Sequence, residues 1–421
     1  MNNILIKSAT LIFPDHDKHG QVVDVWIDNG IIKDVSLHGE KTYEQVTIID
    51  GENQYLAPGF FDMNANFGEP GLESKETISS GCAAAVAGGF TGVAVQPNTN
   101  PALHSKGEVA MVVNLSKDNL VSVYPVGAIS RDRAGNDLAE LYDMKLAGAV
   151  AFSNGNKSVQ QAGLMSRALL YSKGFGGLIL SYAEDLSIAN NAKMNEGVMS
   201  TYLGMKGNPN LAEELMVTRD LYLADYNDAS IHFSTISTKG SVELIRQAKR
   251  KGMKVTCDVA AHHLVLTDDL VAEFDSNYKV NPPLRTMVDI EALKEGLKDG
   301  TIDAIVSQHT PHEIEFKKVE FEIAKNGIIA LQTVLPLLLK AGLSLELIVQ
   351  KLSINPRKIL KLALPTLQSG DNANLVLFNP TESWTFDLNT NNSLSVNSPF
   401  YNTTLTGKVN LVANNKKIYL V

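Results

Sequence analysis

Three features predict an α/β chain: a (β/α)8 TIM-like barrel with a small β-sandwich domain formed by both termini. Strand candidates alternate with helical patterns through the middle of the chain, as parallel β structure requires. Both ends are instead rich in short β runs and tight-turn signals. No glycine-rich phosphate turn follows the first middle strand, so an open dinucleotide-binding sheet is disfavoured.

At the N-terminus, residues 4–13 and 22–27 are rich in β-branched side chains, and Asp28-Asn29-Gly30 signals a tight turn before 31–35. The C-terminal runs are 374–378, 409–412 and 417–421, with Asn414-Asn415 as a turn. The expected sandwich therefore comprises residues 1-54 and 363-421, and the barrel 55-362. The eight barrel strands are expected at 55–63, 92–96, 121–128, 148–152, 177–181, 230–234, 254–260 and 302–307. Helical patterns between them include 80–88, 158–173, 212–225, 239–251 and 289–298. The fourth of these aligns Val242, Leu244, Ile245 and Ala248 on one face. Lys249, Arg250 and Lys251 then complement the helix dipole, and Gly252 serves as a cap.

Composition narrows the function. The 421 residues carry 46 acidic and 37 basic side chains, a net charge of −9, which argues against nucleic acid and anionic membrane as partners. Two cysteines, Cys82 and Cys257, exclude a disulfide framework and a thiolate metal cluster. No apolar run is long enough for a membrane span and no signal peptide is visible, so a cytoplasmic location is expected. Nine histidines suffice in number for a metal site, so their placement decides.

In a barrel of this kind the chemistry sits at the C-terminal ends of the strands. Those ends read Asp62-Met63-Asn64-Ala65-Asn66, Gln96-Pro97-Asn98-Thr99, Ser153-Asn154-Gly155, Ser181-Tyr182-Ala183-Glu184-Asp185, Ser234-Thr235-Ile236-Ser237 and Gln308-His309-Thr310-Pro311-His312. To them are added Pro58-Gly59-Phe60, Glu69-Pro70-Gly71, Gly88-Gly89-Phe90-Thr91, Leu203-Gly204, Ala212-Glu213-Glu214, Arg219-Asp220, His262-His263-Leu264 and Gly300-Thr301-Ile302-Asp303-Ala304-Ile305. The most specific run is Tyr278-Lys279-Val280-Asn281-Pro282-Pro283-Leu284-Arg285. In this order and spacing the motifs resemble the dihydroorotase family of the amidohydrolase superfamily, over almost the whole chain.

The resemblance implies zinc chemistry, in which a metal-bound water of pKa about 7 attacks a cyclic amide. It also implies where the ligands should stand, and each position is substituted. The two histidines of the first strand fall at Asn64 and Asn66. The bridging carboxylate falls at Asn154, the next two histidines at Tyr182 and Thr235, and the aspartate that also shuttles protons at Gln308. None of these side chains is anionic, and amide or hydroxyl oxygens are poor zinc donors. Gln308 cannot act as a base at neutral pH. The resemblance therefore predicts no catalytic residue, no metal and no cofactor, although the family uses zinc. Substrate-contacting positions are partly kept, at Asn98, Asn281 and His309, while the arginine that would clamp a carboxylate falls at Gly68.

Other candidates have simpler readings. His262 and His263, taken as neighbours on a strand, would point to opposite faces and could not share an ion. His309 and His312 flank a turn and are a thin basis for a metal pair. Glu184 and Asp185 are the best remaining acid/base groups, and Glu69 is another; loop support or a helix N-terminal charge explains each. Cys82 and Cys257 read as core residues and Gly88-Gly89 as a helix end. The leading expectation is a pseudoenzyme of pyrimidine biosynthesis with a structural or regulatory role. By resemblance it would form a homo-oligomer and assemble with aspartate transcarbamoylase. The alternatives are a cyclic-amide hydrolase with a site rebuilt from His309, His312, Glu184 and Asp185, and a small-molecule binding or sensing protein using the emptied pocket.

Overall fold

In the computed structural model, which describes residues 3–421, the middle strands pair in parallel and in chain order. They are β1 (Phe60–Ala65), β2 (Phe90–Val95), β3 (Ser122–Gly127), β4 (Ala151–Phe152), β5 (Ile179–Tyr182), β6 (Ile231–Ser234), β7 (Val255–Ala260) and β8 (Ala304–Val306). Every residue of β1 and β2 is buried, as expected for strands covered on one side by helices and on the other by the barrel interior. The ring closes just beyond β8, where Ala65 bridges His309 in parallel and the Asn66 amide donates to the His309 carbonyl at 2.9 Å. The fold is thus a (β/α)8 barrel.

The helices outside it start and stop where local chemistry dictates. Thr77 caps Ile78–Ala87 by accepting from the Ser80 amide, and Gly89 follows with φ of 87°. Thr238 caps Lys239–Arg250 in the same way, and Val242, Ile245 and Ala248 form its buried face. Cys82 lies in the first of these helices and Cys257 in β7; both are buried, and burial pushes both thiols up, so neither is a ready nucleophile.

Both termini build a second, mostly antiparallel sheet. Its strands run in the order Lys417–Leu420, Thr403–Asn414, Leu375–Phe386, Tyr55–Pro58, Asn3–Leu11, Val22–Asp28, Ile31–Leu37, and Thr47–Asp50 lies beside Asn3–Leu11. Asn29 and Gly30 both have positive φ, the backbone that a two-residue hairpin turn demands. Asn415 and Lys416 turn the last hairpin likewise, one residue later than the sequence suggests. Ile4, Ile6, Val25, Leu375, Leu377 and Leu411 fill this sheet's own core.

Two expectations need correction. The first barrel strand, expected as one run over 55–63, is two. Tyr55–Pro58 pairs with Leu375–Phe386 of the terminal sheet, and the chain crosses to the barrel at Gly59. A Cβ at Gly59 would stand 2.1 Å from Thr91 Cγ2, so the crossing needs a residue without one. Second, His262 and His263 are not on a strand. The pairing of β7 with β8 ends at Ala260 opposite Val306, and both histidines lie in a short 3-10 turn over Ala261–Leu264. Their rings lie side by side, centroids 4.5 Å apart, rather than on opposite faces. Among the described residues no helix is long and apolar enough to cross a membrane.

Candidate functional site

A cavity of about 140 Å³ opens at the C-terminal end of the barrel, lined by residues from the ends of β1, β2, β5 and β6 and from the loops after β4, β7 and β8. The period of two along β1 brings Asn64 and Asn66 into it together. Asn64 Nδ2 donates to Thr235 Oγ1 at 3.1 Å, across the barrel. Asn66 Nδ2 donates to the His309 carbonyl at 2.8 Å and to Thr310 Oγ1 at 3.0 Å, and Asn66 Oδ1 accepts from Asn98 Nδ2. Gln308 Nε2 donates to the Asn281 carbonyl at 2.8 Å. The residues that stand at the positions the resemblance assigns to zinc ligands therefore bond to neighbours around the mouth.

Two of the substituted positions behave differently. Asn154 does not line the cavity: its Oδ1 accepts from the Ser130 amide at 3.1 Å and its Nδ2 donates to Ser130 Oγ at 2.9 Å. Tyr182 lines the cavity, and its buried hydroxyl has no hydrogen-bond partner among the described residues. Burial, reinforced by the nearby Glu184 carboxylate, holds that phenol well above its usual range, so it stays a proton donor.

Below the mouth, two buried carboxylates fix the strand ends. Asp62 Oδ1 accepts from the Ser307 amide at 2.9 Å and the Asn64 amide at 3.2 Å, and its Oδ2 accepts from Ser307 Oγ. This ties β1 to the end of β8. Asp258 accepts from the Thr235 amide at 2.6 Å and pairs with His232 Nε2 at 2.8 Å. Thr235 and Gln308 have φ of 58° and 52°. Left-handed backbone is strained for a β-branched threonine, and it persists here because the surrounding bonds hold it.

The other candidates separate in space. Glu184 accepts from Asn208 Nδ2 at 2.9 Å and from Asn281 Nδ2 at 3.2 Å, and burial raises its carboxyl against those hydrogen bonds. Asp185 caps the helix Leu186–Ala189, and Glu69 accepts from the Ile78 amide at the next helix start. His309, expected at the substrate, is buried. Its Nδ1 accepts from the Ala330 amide at 3.1 Å, and its Nε2 faces Glu76 at 3.4 Å. His312 points elsewhere, with Nε2 3.0 Å from the Asn326 carbonyl. His309 and His312 thus have separate partners. Asn98 and Asn281 line the cavity. Glu76, Asp258 and Ser130, which position the mouth, carry no signal in sequence; Glu76 meets His309 across 233 residues. Gln96 stands at a strand end and was legible as such.

The donor set does not suit zinc. Among the described residues, no three His, Cys, Asp or Glu side chains converge on a point that could hold a metal. The residues at the expected ligand positions are neutral amides and hydroxyls, and one of them turns away to Ser130. At the arginine position, a Cβ on Gly68 would lie 2.0 Å from the Leu72 carbonyl oxygen, so the backbone has closed over the place where the side chain would leave.

The sequence model of a family described as "Dihydro-orotase-like" matches residues 53–241. The chain is 42% identical to the dihydroorotase of Acetivibrio thermocellus, with 96% of each chain covered. It is also 42% identical to that of Trichlorobacter lovleyi and 43% identical to that of Syntrophus aciditrophicus, again over 96% of each chain. Among solved structures, the L-hydantoinase (dihydropyrimidinase) from Arthrobacter aurescens superposes with a TM-score of 0.87 at 23% identity, covering 100% of this chain and 98% of its own. A D-hydantoinase gives a TM-score of 0.84 at 20% identity, covering 99% of this chain and 95% of its own. These structures share the fold.

Proposed function

Because this chain belongs to the dihydroorotase family of the amidohydrolase superfamily, we propose that it is a dihydroorotase-like protein of pyrimidine metabolism that has lost catalysis and kept a structural or regulatory role. One observation carries the reading. The positions that resemblance assigns to zinc are occupied by Asn64, Asn66, Asn154, Tyr182, Thr235 and Gln308, and most of these bond to neighbouring protein groups. A dication there would meet no anionic ligand, and the proton shuttle is an amide. The barrel around the site is intact and its strand ends are still braced by Asp62 and Asp258. A scaffold retained without its chemistry supports a role in assembly. The partner we propose is aspartate transcarbamoylase, bound by a self-associated form of this chain.

Two measurements on the full chain test this. Dihydroorotate ring opening, followed in both directions with added zinc, should not exceed the uncatalysed rate, and turnover abolished by a chelator would overturn the loss of catalysis. Native protein should co-elute with the transcarbamoylase; a chain that elutes as a free monomer beside it would overturn the assembly role.

A further inference from the structure

The end of the barrel opposite the mouth carries a second cavity, of about 650 Å³, between the N-terminal ends of β1, β2 and β3, the segment 363–372 and the terminal sheet. That volume is in the range of small-molecule sites. Three of its lining side chains are cations, Lys117, Arg357 and Lys416, and one is an anion, Asp371. Two net positive charges thus line one cavity in a chain whose overall charge is −9. The Asp371 carboxylate is engaged by its own turn, where it accepts from the Thr366 hydroxyl and from the Gln368 amide at 3.2 Å.

None of these three cations has a carboxylate partner among the described residues, whereas Lys41, Lys173, Lys249, Lys254 and Lys408 each pair with one. Arg357 is only 4% exposed, and neutral groups alone meet its charge. Its Nη1 donates to the Gly59 carbonyl at 2.9 Å and the Ser353 carbonyl at 2.8 Å, and its Nη2 to Thr91 Oγ1 at 2.9 Å. The guanidinium lies over the Phe61 ring, 5.2 Å from its centroid. Burial holds it down to about 10, as befits a charge taken from water without a counter-charge, and it is still a cation at neutral pH. Arg357 Nε and the Tyr124 hydroxyl have no protein partner among the described residues, and neither atom is among the unpaired ones sealed from solvent. Lys117 and Lys416 are exposed. The cavity therefore offers accessible donors from Arg357, Tyr124, Lys117 and Lys416, with no protein anion to take them.

We propose that this cavity binds a small organic phosphate, with the phosphoryl group held among Arg357, Lys117, Lys416 and Tyr124. A phosphomonoester carries about −1.5 to −2 charges at pH 7 and three strong acceptor oxygens, which matches the net charge and the donors of the wall. A single carboxylate would leave part of that charge unmatched. An extended polyanion is disfavoured by the acidic surface of the rest of the chain. The cavity lies at the far end of the barrel from Asn64 and Gln308, so the proposal is independent of whether the mouth holds zinc.

The probes are ribose 5-phosphate and ribose, which differ only in the phosphoryl group, titrated calorimetrically into the full chain at low ionic strength. The expected result is saturable binding of ribose 5-phosphate, its displacement by inorganic phosphate, and binding of ribose weaker by at least about tenfold, as charge-assisted hydrogen bonds imply. Lys117→Gln combined with Lys416→Gln should weaken ribose 5-phosphate by at least about tenfold. Both side chains are exposed, and unchanged melting shows that the fold is kept. Lys239→Gln combined with Lys298→Gln alters two exposed lysines of another surface and makes the same change in net charge. Screening should hold its effect below about twofold. Tyr124→Phe, which removes only the hydroxyl, should weaken binding roughly two- to tenfold. The proposal is overturned by absence of saturable binding, by ribose binding as tightly, or by failure of inorganic phosphate to displace the ester. Full affinity in the Lys117 and Lys416 variant or in Tyr124→Phe, or equal losses in the two lysine pairs, would also overturn it.

Discussion

Between pH 7 and pH 5, the stability advantage of the native chain over a His312→Gln variant is expected to shrink by about 2 kcal/mol. Burial holds the His312 imidazole down to about 4, against 6.5 in an unfolded chain. As the pH falls below 6.5 the unfolded chain takes up a proton that the folded chain refuses until about pH 4, so the folded state loses stability throughout that window. His263 is also pushed down to about 4, chiefly by burial, and its Nε2 lies 3.0 Å from the Pro282 carbonyl. A double variant with His263→Gln should therefore approach about 4 kcal/mol, since the two histidines have separate partners. Burial, and then its neighbour His263, also holds His262 well below its ordinary value, which adds to the same trend. Asp62, Glu184 and Asp220 are raised by burial and oppose it as the pH falls, which is why the difference between native and variant is the quantity to measure. Urea unfolding at the two pH values gives it, and a difference that stays constant would refute the buried neutral histidines.

Asp62→Ala is expected to cost about 3–5 kcal/mol, the scale for deleting one side of a buried charged hydrogen-bond set. The change leaves the Ser307 amide, the Asn64 amide and the Ser307 hydroxyl without their acceptor. It also loosens the seam between β1 and β8, on which the whole mouth depends. Asp62→Asn keeps one carbonyl oxygen for the two amides and should cost clearly less. Equilibrium denaturation of the pair decides: a loss below about 1 kcal/mol for the alanine variant would mean that the seam is not held this way.

The architecture was readable because its determinants are local. Alternating strand and helix patterns, caps such as Gly252 and turns such as Asn29-Gly30 all act within a few residues, and each falls within a few residues of its expected place. The substituted strand ends were readable too, since a residue at the end of a barrel strand faces the mouth by geometry. What sequence could not give is where polar side chains find partners at long range. Asn154 turns to Ser130, His309 turns to Glu76 from a position expected at the substrate, and Asp258 reaches back to His232 and Thr235. The His262-His263 pair failed for another reason: the end of a strand depends on where its neighbour stops pairing, here at Val306. The split at Gly59 has the same origin, a contact with Thr91 on the adjacent strand.

The central claim is that the barrel mouth no longer holds zinc, and metal content tests it most directly. The full chain is purified from zinc-supplemented growth, dialysed without chelator and assayed by elemental mass spectrometry. A neutral mouth of Asn64, Asn66, Tyr182, Thr235 and Gln308 predicts zinc far below one equivalent per chain. One or two equivalents, retained through dialysis and removed only by a strong chelator, would contradict it.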